Sequence, residues 1–248
     1  MTAVAEVALA GLGTALATGL GALPVGRAGA RAEAWRPTLL GAAAAAMAVV
    51  SVLGLIAPAL DAGSVATVAA GVASGALFLA VARRGLRLHE HRAGLLLTTR
   101  GRRAALVMLV LFVHSLPEGF AIGSAWASGT AGLGVFVLVA IAVQNIPEGT
   151  VTAIPLAIAG VGRAGQVAAA IGTSLPQPVG AVLAYLLVEE IRALLPFSFG
   201  FAAGAMLALV AVDVAPDAWR PGGRRRATAG ALAGGGLMVA VGVLLQVP

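Results

Sequence analysis

Two short segments of the sequence carry ionisable and amide side chains inside otherwise apolar stretches. The first reads His-Ser-Leu-Pro-Glu-Gly from His114, and the second reads Gln-Asn-Ile-Pro-Glu-Gly from Gln144. His114 and Glu118 are four residues apart, as are Gln144 and Glu148, so each pair lies on one helix face about 5–6 Å apart. One imidazole, two carboxylates and one amide oxygen suit Zn²⁺, and also Fe²⁺, Mn²⁺, Co²⁺ or Cd²⁺. Since two carboxylates balance one divalent ion, the pattern predicts a metal site that is neutral when occupied.

Residues that weaken a helix accompany both glutamates. Pro117 and Pro147 each remove the hydrogen bond to the carbonyl four residues earlier, and Gly119 and Gly149 follow one residue after the glutamates. Pro176 interrupts a later apolar stretch in the same way. Freed carbonyls at membrane depth are tolerated only against protein or a wet cavity. The sequence therefore predicts loosened backbone at these positions, as in the discontinuous helices of transporter binding sites.

Other interpretations of the two segments remain open from the residues alone. A structural hydrogen-bond network and a proton relay without metal both place ionisable groups inside membrane helices. An intramembrane metal-dependent hydrolase would use a zinc-bound water, but such sites take a His-rich ligand set, and the apolar stretches hold one His and no H-E-x-x-H motif. We therefore predict that the chain is not an enzyme.

Composition excludes a water-soluble fold and a disordered chain. Of the 248 residues, 60% are hydrophobic and only 10% are charged, whereas soluble domains are about a quarter charged. Disorder requires low hydrophobicity and high charge. There is no Cys, so thiolate ligands are excluded. The chain is predicted to be an integral membrane protein whose partner is the lipid bilayer.

Eight apolar stretches have about the 20 residues that a helix needs to cross a bilayer. We therefore predict an all-α polytopic bundle forming a single transmembrane domain over residues 1–248. The predicted spans are residues 7–26, 38–60, 64–81, 104–126, 133–159, 165–188, 197–214 and 227–247.

The basic residues alternate between the connections, which supports the count of eight. Fifteen of the sixteen Arg lie in the connections after spans one, three, five and seven, and only Arg192 lies in the others. Because basic residues favour the cytoplasmic side, both termini are predicted to be extracytoplasmic and residues 82–103 to form a cytoplasmic Arg-rich loop. The charge of +6 then reflects orientation, so no nucleic-acid partner is expected. His89 and His91 in this loop are further candidates for metal contact.

The paired Pro-Glu-Gly segments resemble the signature of the ZIP (Zrt/Irt-like) divalent metal transporters, and in particular the GufA-type subgroup. Further segments resemble that family's first, second and seventh spans: Gly19–Pro24, Ala48–Leu60 and Phe201–Met206, the last followed by Asp213. The family is a bundle of eight membrane helices with both termini outside, in agreement with the predicted topology.

The resemblance implies that His114, Glu118, Gln144 and Glu148 form the primary metal site. The family often has a second, adjacent site, whose further ligands would fall at Ser115, Asn145 and Gln177. These three side chains are neutral here, where relatives usually carry Asn, often Asp, and Glu. A second divalent ion would therefore leave about two uncompensated positive charges in a medium of low dielectric constant, which is costly. We predict a single bound ion, with these residues and Asp213 as a secondary site or path.

The resemblance further implies transport of a divalent transition metal, most readily zinc, into the cytoplasm. It implies that spans one, four, five and six move against spans two, three, seven and eight, in a homodimer in a bacterial inner (plasma) membrane. The metal is the substrate, and no cofactor is expected. A non-transporting metal sensor stays open beside the hydrolase, because the second site has lost its charged ligands.

Overall fold

A computed structural model describes residues 2–93 and 99–247, without the side chains of residues 29, 30, 86–107 and 109–111. Within these ranges all regular elements are helical, which confirms the all-α prediction. The longer helices are α1 (Ala3–Ala22), α2 (Arg36–Val49), α3 (Val65–Ala93), α4 (Thr99–Ala127), α5 (Leu133–Ile158), α6 (Arg163–Thr173), α7 (Pro176–Glu190), α8 (Leu195–Leu209) and α9 (Arg224–Leu244).

Seven helical stretches of the described chain are long and apolar enough to cross a bilayer: Ala3–Ala28, Arg31–Ala62, Val65–Gly85, Leu133–Ile158, Arg163–Glu190, Arg192–Ala218 and Arg224–Leu244. Each overlaps one predicted span. Helix α4, of 29 residues, lies at the position of the remaining span, the fourth. The chain is therefore an integral membrane protein, while the side on which the termini lie stays a prediction.

The helices on either side of the predicted loop 82–103 are longer than the apolar pattern indicates. Helix α3 continues to Ala93, and α4 already begins at Thr99. Hydropathy detects only the part of a helix that lies in lipid, whereas Arg and Leu are good helix formers in water as well. The side chains of His89 and His91 lie outside the described residues.

Prolines are associated with irregular helix geometry in three spans, at positions outside the two Pro-Glu-Gly motifs. In spans two and seven the helix widens into one π-helical segment, Val50–Ile56 and Val210–Val214. Each segment precedes a proline, Pro58 or Pro216, which leaves the carbonyl four residues earlier without its usual donor. The sixth span is divided between α6 and α7, and Pro176 is the first residue of α7.

Helices α4 and α5, in contrast, continue through Pro117 and Pro147 without a break. Neither helix is therefore divided at these two positions, whereas the sixth span is divided just before Pro176. The loosened backbone at Pro117 and Pro147 stays a prediction. One missing backbone hydrogen bond does not end a helix that its neighbours hold on several sides.

Helices α1, α4, α5 and the divided span α6–α7 contact one another and form one group. Helix α3 packs mainly on α8, and α2 packs mainly on α9. The two groups meet where α4 contacts α8 and α5 contacts α2. Both Pro-Glu-Gly motifs therefore lie on helices of the first group.

Close backbone contact, rather than helix breaking, explains the glycines of the motifs. A Cβ on Gly119 would overlap the carbonyl of Gln177 on α7, and a Cβ on Gly149 would overlap the carbonyl of Thr18 on α1. In membranes small residues allow helices to approach in this way, because packing rather than the hydrophobic effect drives helix association. The two glycines thus hold α4 and α5 against the helices that complete the site.

Replacing Gly149 by Ala is expected to lower the free energy of unfolding by about 3 kcal/mol, because the added methyl group meets backbone that cannot rotate away. The measurement is equilibrium unfolding in mixed detergent micelles without added metal. Gly13 is the matched control, because it lies on α1 and a Cβ there has nothing within 4 Å. Gly13→Ala is expected to leave stability unchanged or to raise it by up to about 1 kcal/mol. Equal effects of the two substitutions would contradict the packing account.

Candidate metal centre

The four residues of the two motifs lie on α4 and α5, which are neighbours in the bundle. His114, Glu118, Gln144 and Glu148 are all buried, with side chains or residues at most 8% exposed. The spacing of four residues on each helix directs each pair to one face, as the sequence predicts. The chain thus brings two carboxylates, an imidazole and an amide together in the interior of the helix bundle.

Three of these residues form a cluster with the geometry of a metal site. One potential ligand atom from each of His114, Glu118 and Glu148 lies within 4.8 Å of the other two. The imidazole Nε2 of His114 is 3.4 Å from Glu148 Oε2 and 3.7 Å from Glu118 Oε1. Two ligands of a tetrahedral zinc ion at 2.0–2.1 Å are separated by about 3.4 Å. The cluster therefore needs only small side-chain adjustments to surround one ion.

Several polar atoms of the cluster and of the neighbouring Gln144 have no hydrogen-bond partner among the described residues. They are both ring nitrogens of His114, Oε1 of Glu148 and Oε1 of Gln144. Buried polar atoms without partners are rare, because leaving one unsatisfied costs about 1–3 kcal/mol. His114 Nε2, Glu148 Oε1 and Gln144 Oε1 can each donate a lone pair to a zinc ion. When one ring nitrogen of a histidine binds zinc, the other usually donates a hydrogen bond to a group that orients the ring.

The cluster contains more acidic than basic side chains, and among the described residues no arginine compensates for them. Glu118 and Glu148 supply up to two negative charges, and His114 supplies at most one positive charge. The chain has no Lys, and no Arg of the described part forms an ion pair with either glutamate. A divalent cation is the simplest species that neutralises this arrangement.

Gln144 connects the two motifs directly. Its Nε2 donates to Glu118 Oε1 at 2.7 Å, so the carboxylate is oriented by the helix opposite. The amide oxygen of the same side chain is one of the atoms without a partner. Gln144 can therefore orient Glu118 and offer an oxygen to the same ion.

Gln177, at the start of α7, occupies the other side of Glu118. Its Nε2 donates to Glu118 Oε2 at 2.5 Å, and its Oε1 accepts from Thr14 Oγ1 at 2.7 Å and from Asn145 Nδ2 at 3.1 Å. The Asn145 amide also donates to the Thr14 carbonyl at 2.8 Å. We call Thr14, Asn145, Gln177 and Glu118 the amide network. All of its members are buried, and its internal bonds occupy the space beside Glu118.

Thr14 is a member that the sequence analysis missed. It lies four residues before Thr18 on α1, and the Thr18 hydroxyl is 2.7 Å from the Ser174 hydroxyl at the end of α6. Two hydroxyl residues at a spacing of four in an apolar helix form a polar stripe on one face. That stripe is the signal from which the contact between α1 and the divided span could have been inferred.

Of the remaining candidates, Ser115 is buried beside His114, and Asp213 lies apart from the cluster. Asp213 belongs to the π-helical segment Val210–Val214, where its Oδ1 accepts from Arg83 on α3 at 2.6 Å. An ion that reached Asp213 would compete with this arginine.

A family model described as ZIP zinc transporter matches residues 82–242, more than half of the 248-residue chain. The matched part contains both Pro-Glu-Gly motifs and Gln177. It also contains Asp213 and the Arg-rich connection between α3 and α4.

Individual proteins with similar sequences carry related names. The chain is 37% identical over 222 residues to an Arabidopsis thaliana protein named as a candidate zinc transporter, covering 88% of this chain and 35% of that protein. It is 34% identical over 173 residues to the zinc transporter GufA of Myxococcus xanthus, covering 67% and 66%, respectively. It is 34% identical over 140 residues to the zinc transporter ZIPB of Bordetella bronchiseptica, covering 56% and 45%. The chain thus spans between about one third and two thirds of the length of these relatives.

Proposed function

The chain belongs to the ZIP zinc transporter family, and we propose that it carries zinc ions across the membrane through the buried cluster of His114, Glu118 and Glu148. One observation carries the proposal: three side chains with potential zinc ligands converge within 4.8 Å. They lie inside the group of α1, α4, α5 and α6–α7, and three spans of this group are long and apolar enough to cross a membrane. Ionisable residues at such depth are costly and mark ion pathways.

The ligands that we propose are His114 Nε2, one carboxylate oxygen each from Glu118 and Glu148, and Gln144 Oε1. The ion removes the repulsion between the two carboxylates and gives partners to atoms that have none among the described residues. Its charge is balanced by the glutamates, so the occupied site is close to neutral and its burial costs little. A neutral occupied site is what a carrier needs in order to move its substrate through a low-dielectric core.

We further propose that one ion is bound at a time. The amide network holds Glu118 Oε2 and fills the neighbouring position with neutral groups. A second divalent ion there would have to break these bonds and would meet no additional negative charge. Ser115, Asn145 and Gln177 then serve as weak oxygen contacts on the path, and Asp213 serves as a later contact once Arg83 releases it.

The direction that we propose is into the cytoplasm. The alternation of Arg between connections supports extracytoplasmic termini in a bacterial plasma membrane. The contact group of α1, α4, α5 and α6–α7 supports movement of these helices as a unit relative to the other four spans. As in the family, we propose that the working form is a homodimer. At the level of the family the protein is a transporter and not an enzyme.

The test is uptake of zinc into proteoliposomes that contain the purified protein and a zinc-sensitive dye. We expect saturable uptake above that of protein-free liposomes, and competition in which Cd²⁺, Fe²⁺ and Mn²⁺ reveal the order of metal preference. Zinc binding to the protein without any uptake would overturn the transport proposal in favour of a sensor. If zinc is not taken up and the protein instead hydrolyses an added peptide or ester in a zinc-dependent way, an intramembrane hydrolase would be favoured.

A further inference from the structure

An apolar groove lies on the surface of the bundle, between α3, α4 and the start of α7. Its cavity has a volume of about 600 Å³. Its walls include side chains from all three helices: Phe78, Ala82, Phe112, Leu116, Leu175 and Val179. Phe112, Leu175 and Val179 are 46%, 49% and 56% exposed, so the groove is open to the surroundings of the protein. We call it the lateral groove.

The lateral groove continues along α3 towards the Arg-rich connection. A second depression on α3 begins at Ser74 and shares Phe78 and Ala82 with the lateral groove. A third depression shares Val81 with the second and reaches Arg84. Ser74 and Arg84 are ten residues apart, which corresponds to about 15 Å along a helix. This is about half of the 30 Å hydrocarbon thickness of a bilayer, or the depth of one leaflet.

An exposed arginine stands at the end of this path. Its neighbour Arg83 is held by Asp213, at 2.6 Å. Arg84, in contrast, forms no ion pair with the described residues. An arginine at the end of a membrane span attracts anionic headgroups, and its guanidinium matches phosphate geometry.

We infer that the lateral groove binds one acyl chain of an anionic phospholipid whose phosphate is held by Arg84. An open apolar groove in a bilayer is filled by lipid, because an empty one would lose contacts on every wall. The length of one leaflet matches one chain, and the charge of Arg84 selects an anionic headgroup. The lipid would contact Leu116 on α4, which is two residues from both His114 and Glu118. Because two residues correspond to a rotation of about 200° on a helix, this contact lies on the side of α4 opposite to these two residues.

Native mass spectrometry of the purified full chain in mild detergent tests this site. The protein is titrated with phosphatidylglycerol or with phosphatidylcholine of identical acyl chains. We expect one tightly retained phosphatidylglycerol per chain, with an affinity about fivefold above that of phosphatidylcholine, the factor expected for one arginine near the headgroups. Arg84→Gln is expected to reduce this preference to about one, while Arg225→Gln, at another exposed arginine that does not line the groove, retains it.

A second pair of variants separates the groove from the headgroup. Val179→Trp fills the groove and is expected to remove retention of both lipids, whereas Val243→Trp, at a 73% exposed position on α9, leaves it unchanged. Equal retention of the two lipids by the unmodified protein would overturn the inference. Intact lipid retention in Val179→Trp would also overturn it. A shift of Val179→Trp from dimer to monomer would overturn it as well, because this shift would show that a second copy of the chain covers the groove.

Discussion

Replacing Glu148 by Gln is expected to weaken zinc binding at least about a hundredfold and, at the same time, to stabilise the metal-free protein. Loss of an outer-shell partner already reduces metal affinity by about 10- to 100-fold, and Glu148 is proposed to be a direct ligand. Gln has the same shape but no charge. In the metal-free site the charge of Glu148 has at most one opposing imidazole, at 3.4 Å.

The stability change follows from the same charges. With two glutamates and one histidine, the metal-free cluster holds more acidic than basic groups, and no described arginine forms an ion pair with it. Removing one buried charge is expected to raise the free energy of unfolding by about 1–3 kcal/mol. Isothermal titration with zinc and chemical unfolding in the presence of a chelator measure the two effects. Glu190→Gln, at an exposed glutamate, should alter neither.

A purely structural role for the cluster predicts the opposite pattern. If Glu148 only held its neighbours together, Glu148→Gln would destabilise the protein and leave its zinc affinity unchanged. The two measurements together therefore distinguish a metal site from a hydrogen-bond network.

Replacing Gln177 by Glu is expected to change the number of bound zinc ions from one to two. The new carboxylate would stand where the Gln177 amide now donates to Glu118 Oε2 at 2.5 Å. The new carboxylate, with Glu118 and the Asn145 oxygen beside it, would supply one of the two negative charges that a second ion lacks in the natural chain. Metal content after equilibrium dialysis, measured by mass spectrometry per mole of protein, gives the number directly.

The metal-free form of the Gln177→Glu variant should be strongly destabilised. Without zinc, the introduced carboxylate would repel Glu118 inside the membrane, at a cost of about 3 kcal/mol in the free energy of unfolding. Gln166 offers a matched control, because it is a second buried glutamine whose amide donates to the Val161 carbonyl, outside the amide network. Gln166→Glu should leave the zinc content at one ion. Two zinc ions in the unmodified protein would refute the single-ion proposal.

The spans and the composition of the cluster were predictable from the sequence because each depends on local patterns. Apolar length and the alternation of arginines define the spans without any tertiary information. A spacing of four residues places His114 near Glu118, and Gln144 near Glu148, on any helix. The repeated Pro-Glu-Gly motif suggests that the two helices present these pairs at one depth.

The amide network was not predictable in the same way, because it joins residues from four helices. Gln177 is drawn to Glu118 by the division of the sixth span at Pro176 and by the contact of α7 with Gly119. Thr14 enters only because α1 packs against both α5 and α7. The spacing of Thr14 and Thr18 indicates a polar face on α1, but no spacing indicates which side chains of the other helices meet that face.

Proline was a poor guide for a similar reason. Pro117, Pro147 and Pro176 have the same local chemistry, and only the last coincides with a break. Whether a missing hydrogen bond ends a helix depends on the support that surrounding helices give to the backbone. That support is a property of the packed bundle.

Passage of zinc through the buried cluster is tested by comparing zinc uptake by the unmodified protein and by Glu148→Gln in proteoliposomes of equal protein content. Dye trapped inside the vesicles reports the initial rate at several external zinc concentrations. We expect saturable uptake by the unmodified protein and a rate for Glu148→Gln equal to that of protein-free vesicles. A variant that transports zinc at the unmodified rate would contradict the claim that zinc passes through the cluster of His114, Glu118 and Glu148.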